Sequence, residues 1–122
     1  MENWHERFYI ANMTLHFGYL EVGKYWYCDI YSYDTRVLRI IETRNRLGDS
    51  REFDKGFYSR TTRRHQCLAL AVGEFLIVNG FEETARMIEK WKIKTLKGLR
   101  DTFGYERVED WENVLTGYRF NK

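Results

Sequence analysis

An α+β fold is predicted for this 122-residue chain on three observations. Apolar and polar residues alternate with period two through much of the N-terminal half, the pattern of half-buried strands. A long apolar run at 67–78 follows, bounded by residues that belong to helix ends. After Gly80 the apolar spacing changes to three and four, as in amphipathic helices. The predicted architecture is an antiparallel sheet of about four strands, packed on a buried central helix and two or three C-terminal amphipathic helices. No repeat, linker or low-complexity tract interrupts it, so residues 1–122 read as a single domain.

The first dozen residues are ambiguous, because Trp4, Phe8 and Ala11 recur at helical spacing while Phe8 to Ile10 suit a strand. From Met13 the alternation Met13, Leu15, Phe17, Tyr19 against Thr14, His16 and Gly18 predicts a strand. Gly23 turns the chain into a second strand over 25–33. Tyr25, Tyr27, Asp29, Tyr31 and Tyr33 lie on one face of it, and Trp26, Cys28 and Ile30 on the other. Asp34-Thr35 is a turn signal, and 36–43 a third strand with Leu38 and Ile40 on one side and Val37, Arg39 and Ile41 on the other. Residues 44–50 form a loop and 51–58 a fourth strand. Sequential strands on short turns make an antiparallel meander, which covers its apolar face with helices.

The run 67–78 is too long for a typical strand, and only Gly73 and Glu74 break its apolar character. A helix apolar nearly all round must be covered on most sides, which makes it the centre of the domain. Thr61 or Thr62 is the expected N-cap, and Gly80 the left-handed residue after the C-terminus. Glu82 and Glu83 then open a helix containing Ala85, Met87, Ile88 and Trp91. Leu96, Leu99 and Phe103 mark a second, ended by Gly104, and Val108, Trp111, Val114 and Leu115 a third, ended by Gly117.

The electrostatic anomaly lies at the start of the central helix. Acids are favoured and cations disfavoured in a first turn, by about 0.3–1 kcal/mol each. Here Arg63 and Arg64 occupy that turn, with Arg60 before and His65 after. Departures from a local rule mark candidate functional sites, and free backbone N–H groups with arginines suit phosphate or carboxylate. The structural alternative is that the arginines pair with acids of a neighbouring strand or extend into water. Arg51, Lys55 and Arg60 interleave with Phe53, Phe57 and Tyr58, which suits a stacking single-strand surface and equally a strand whose aromatics face the core. The candidate edge is therefore Arg60, Arg63, Arg64 and His65, with Lys55 and Arg51 beside it.

Other classes find little support. The net charge of +2 does not argue for nucleic acid by itself, but charge is segregated. Residues 1–35 carry two basic and five acidic side chains, 36–64 nine and four, and 90–100 five basic and no acid. The histidines His5, His16 and His65 lack metal-ligand spacing, so no metal or cofactor is expected. Cys28 and Cys67 lie in apolar surroundings and read as reduced thiols of the cytoplasm. No secretory signal is read in the first ten residues, and the apolar run is too short to span a bilayer. The chain has no proline, so no slow prolyl step should limit folding. Nine tyrosines, many at strand positions, suit either a half-exposed binding face or ordinary strand packing.

Tyr31-Ser32-Tyr33-Asp34-Thr35, followed by Tyr58-Ser59-Arg60-Thr61-Thr62-Arg63-Arg64-His65-Gln66, resembles a pattern found in small, mostly uncharacterised bacteriophage proteins. The resemblance covers about a third of the chain. It implies a phage or mobile-element accessory protein of the bacterial cytoplasm, similar in role to anti-CRISPR and other anti-defence inhibitors. The resulting expectation is a non-enzymatic inhibitor or regulator that binds a host protein or nucleoprotein complex, such as a defence nuclease. A direct, sequence-tolerant nucleic-acid-binding module is the second expectation, with 90–100 as an additional basic strip, and a small metal-independent nuclease the third. Strongly acidic nucleic-acid mimicry does not fit this composition.

Overall fold

The computed structural model describes residues 2–43, 48–104 and 111–120. Strands β1 (Trp4–Ile10), β2 (Met13–Leu20), β3 (Tyr25–Ser32), β4 (Thr35–Thr43) and β5 (Ser50–Phe53) precede helices α1 (Arg60–Asn79), α2 (Phe81–Lys90), α3 (Leu96–Phe103) and α4 (Glu112–Leu115), and the two-residue β6 (Arg119–Phe120) follows. The α+β class is as expected. The sheet has six strands in sequence order, and β6 runs parallel to β5, which corrects the expected four-stranded, wholly antiparallel sheet.

Two strands account for the difference. In β1, Trp4, Phe8 and Ile10 alternate with exposed His5, Arg7 and Tyr9, but Glu6 occupies a core-side position and hides the period of two. β6 is too short to carry a period. The predicted fourth strand also ends early, at Phe53, and residues 54–59 form a connecting loop. The last helix was expected over 108–115. Residues 108–110, like 44–47 of the predicted 44–50 loop, lie outside the described residues, and α4 begins at Glu112.

Strands β2 and β3 follow the predicted alternation. Leu15, Phe17 and Tyr19 stand opposite Ile30, Cys28 and Trp26, and Ile30 and Cys28 in turn oppose Leu38 and Ile40. This apolar face packs against α1 and α2. Burial of each large aliphatic side chain contributes about 1.5–3 kcal/mol. Helix α1 is buried at Thr62, from His65 to Gly73, and at Leu76, and α2 and α3 pack on it. Gly73 lets α1 approach the sheet closely, since a Cβ there would lie 3.0 Å from Leu38 Cδ2 and 3.2 Å from Ile40 Cδ1. The opposite sheet face keeps Tyr9, His5 and Arg7 exposed and Tyr25, Tyr27 and Tyr31 half-buried. No described helix is long and apolar enough to cross a membrane.

The C-terminal segment docks on the sheet. Tyr118 is buried, and its hydroxyl donates to Glu74 Oε2 at 3.0 Å. That bond gives the one acid in the middle of α1 a partner.

Candidate functional site

The loop between β5 and α1 presents the site, and two buried polar side chains shape it. Asp54 accepts from the Gly56 backbone N–H at 2.9 Å and from the Tyr58 hydroxyl. Gln66, buried on α1, donates its amide to the carbonyls of Asp54 and Gly56. Ser59 caps the helix, its Oγ accepting from the Thr62 N–H at 3.1 Å, so the cap is neither Thr61 nor Thr62 as expected. Arg60 is therefore the first helical residue. The first turn holds Arg60 and Arg63 and no acid, and Arg64, expected in that turn, begins the next one.

With the loop held, Phe57 and Tyr58 are exposed, 68% and 44%. The Arg63 guanidinium lies over the Phe57 ring, 5.5 Å from its centroid, and donates to the Lys55 carbonyl at 3.4 Å. Lys55 Nζ stands 4.2 Å from the Phe120 ring centroid. These cation–ring contacts hold charge and π-face together at the surface. Tyr33, in the β3–β4 turn, adds another exposed ring, 5.9 Å from that of His65. Its φ of 53° lies in the left-handed region, unusual for a bulky residue. The turn is held where the Tyr33 N–H donates to the Asn12 carbonyl at 2.8 Å and the Asn12 amide donates to the Tyr33 hydroxyl.

On the other side of α1, Arg64 is exposed and meets α3. Arg64, Lys97 and Arg100 line a cavity of about 280 Å³ together with Leu68 and Leu96. Three cations thus surround an apolar floor. Asp101 is the counter-ion of two of them, with Lys97 Nζ at 2.7 Å and Arg100 Nε at 3.7 Å. The Lys97 hydrogen bond holds the Asp101 carboxyl below its usual range. One cation of the basic helix start, Arg64, and two of the 90–100 strip, Lys97 and Arg100, therefore meet at this cavity.

The remaining predicted residues part company with this edge. His65 is fully buried, its Nδ1 2.7 Å from Ser32 Oγ. The Ser32 hydroxyl donates to Thr62 Oγ1 at 3.1 Å and so links the His65 ring to the first turn of α1. Burial first, then Arg64, lowers the His65 pKa and keeps the ring neutral. His65 fastens α1 to the end of β3. Arg51 sits beside Gly117 and Tyr118 beneath the C-terminal segment. Among the described residues no three His, Cys, Asp or Glu side chains are grouped to hold a metal ion.

At the other end of α1, Glu42, Glu82 and Glu83 line a second cavity with Trp26, Phe81 and Arg86, the last paired with Glu83 at 3.5 Å. Comparison with protein-family models, curated proteins and solved structures returned no match to this chain.

Proposed function

We propose that the protein is a binding module that docks the start of α1 on a single nucleic-acid strand, free or displayed by a host nucleoprotein. The observation that carries this reading is the convergence of Arg64, Lys97 and Arg100, from two segments far apart in sequence, on one cavity with an apolar floor. Phosphate suits such a cluster because arginine forks pair with phosphate oxygens and the screened lysine adds a point charge. Phe57 and Tyr58 on the loop before α1, and Tyr33 in the β3–β4 turn, supply exposed rings, and base stacking on aromatics tolerates any sequence. Cations for phosphate and exposed rings for bases suit an unpaired strand better than a duplex, whose bases are already stacked.

A host-protein partner is the second reading, favoured by the same exposed rings beside Arg63, since aromatic and arginine side chains dominate interface energetics. In that reading the module is a phage accessory protein that occludes a defence nuclease. Titration of labelled protein with a single-stranded oligonucleotide, followed by amide NMR, separates the two. Shifts of Arg64, Leu68, Leu96, Lys97 and Arg100 at low salt support strand docking. An unperturbed spectrum overturns it and leaves the host-protein reading, to be pursued by affinity capture.

A further inference from the structure

The face of the sheet away from the helices carries a second group of chemistry-bearing side chains. Arg7 on β1 stands directly opposite His16 on β2, and His16 opposite Asp29 on β3. One step along, His5 stands opposite Gly18, and Gly18 opposite Tyr27. A Cβ at Gly18 would lie 2.3 Å from the Tyr27 ring, so glycine is what lets that ring lie across β2. The Tyr27 hydroxyl thereby comes within 3.2 Å of His16 Nε2. The His5 and His16 rings are 6.2 Å apart, centroid to centroid. Asp29 is committed to a two-point ion pair with Arg39, at 2.8 and 3.0 Å. Arg7 instead is hydrogen-bonded to Tyr9.

We infer that His5, His16 and Arg7 form a metal-independent ribonuclease site that cleaves RNA by internal transphosphorylation. The choice of RNA as substrate rests on the proposed strand docking, although the site itself is a different surface. Cleavage of this kind needs a base, an acid and a cation beside the phosphate, and all three are present. Two imidazoles whose centroids stand 6.2 Å apart on one sheet face can each reach a different bridging oxygen of a single phosphodiester. His16 takes the proton of the ribose 2′-hydroxyl, and the 2′-oxygen attacks phosphorus. The bond from phosphorus to the 5′-oxygen breaks, and His5 donates a proton to that oxygen. The products are a 2′,3′-cyclic phosphate and a free 5′-hydroxyl; no water, metal or redox partner is consumed. Solvent then returns the two histidines to their starting states.

The surroundings assign the roles. Burial and the Arg7 charge lower the His16 pKa, while Asp29 acts in the opposite sense and His5 in the same one. His16 is accordingly neutral near pH 7 and serves as the base. When His16 Nε2–H donates to Tyr27, Nδ1 keeps a lone pair to receive the proton. The Arg7 guanidinium stabilises the charge that builds on the phosphoryl oxygens. His5 and Arg7 are exposed and open to substrate.

The test incubates the full chain in EDTA with an RNA oligonucleotide and with its all-2′-deoxy counterpart, and identifies products by mass spectrometry. Expected are a 2′,3′-cyclic phosphate from RNA, no cleavage of the deoxy strand, and a fall of about 100-fold or more in rate for His16→Ala and for His5→Ala. His5→Ala and Arg7→Ala alter exposed side chains and should keep the circular dichroism of the parent. Imidazole in the buffer should partly restore His5→Ala. Intact RNA with the parent protein, or equal cleavage by parent and both histidine variants, overturns the inference. Binding of the deoxy strand, measured separately by anisotropy, reports on strand docking alone, so failure of either idea is distinguishable.

Discussion

The hydroxyl of Tyr118 donates to Glu74 at 3.0 Å and so joins the C-terminal segment to the middle of the central helix. Burial, with the neighbouring Glu74 charge, pushes the Tyr118 pKa up, so the phenol remains a donor at all ordinary pH values. Hydrogen bonds to charged groups contribute about 1.5–3 kcal/mol. Tyr118→Phe should lower stability by about 2 kcal/mol in urea unfolding, with the slope on denaturant unchanged. A loss below about 0.5 kcal/mol, the level of an ordinary surface change, would mean the segment is held by packing alone.

Gln66 shapes the binding loop from inside. Replacement by Met keeps the volume but leaves the Asp54 and Gly56 carbonyls without its amide. Each orphaned buried group costs about 1–3 kcal/mol, and the loop bearing Phe57 should loosen. Gln66→Met is expected to destabilise the fold and to raise amide exchange across 54–58. Unchanged protection there would show that Asp54, through Gly56 and Tyr58, suffices to hold the loop.

His65 makes stability depend on pH. Its folded pKa lies below the ordinary value of 6.5, so between the two the unfolded chain binds the extra proton. Stability is then full above 6.5 and falls as pH drops toward the folded value, by at most about 1.4 kcal/mol per pH unit. His16 is lowered as well and acts with the same sign. His65→Gln should flatten the slope between pH 7 and pH 5 more than His16→Gln, because His65 is fully enclosed. Equal flattening by both would contradict the buried role of His65.

Gly18→Ala is expected to displace the Tyr27 ring, since the new Cβ would fall within its atoms. The Tyr27–His16 hydrogen bond should break and the His16 pKa, followed by NMR, should move toward its ordinary value as the ring uncovers it. An unmoved His16 titration would show that the ring does not shield it.

Much of this architecture is legible in the chain because an antiparallel sheet with one wet face writes its burial as alternation. Tyr25, Tyr27, Asp29 and Tyr31 against Trp26, Cys28 and Ile30 is such a case, whereas Tyr33, expected on the first face, falls past the end of β3 in a left-handed turn. The central helix is legible because its apolar run ends at Gly80. Tertiary pairing is what the chain conceals. His65 looks like part of a basic surface until Ser32, 33 residues earlier, is seen beside it. Arg64, Lys97 and Arg100 are legible as two separate basic runs, whereas their common cavity depends on how α3 packs against α1. The His5, Arg7 and His16 group is hidden for a similar reason, since only the β1–β2 register sets Arg7 across from His16.

The central claim is that Arg64, Lys97 and Arg100 bind phosphates of a single strand. Fluorescence anisotropy of a labelled single-stranded oligonucleotide against the parent protein and Arg64→Ala/Lys97→Ala/Arg100→Ala, between about 50 and about 200 mM salt, tests it most directly. Single-strand binding loses affinity with a log–log slope of about 0.7 per neutralised phosphate, so the triple variant should bind more weakly and with a slope shallower by about 2. Binding of equal strength and equal salt dependence in both proteins would contradict the claim.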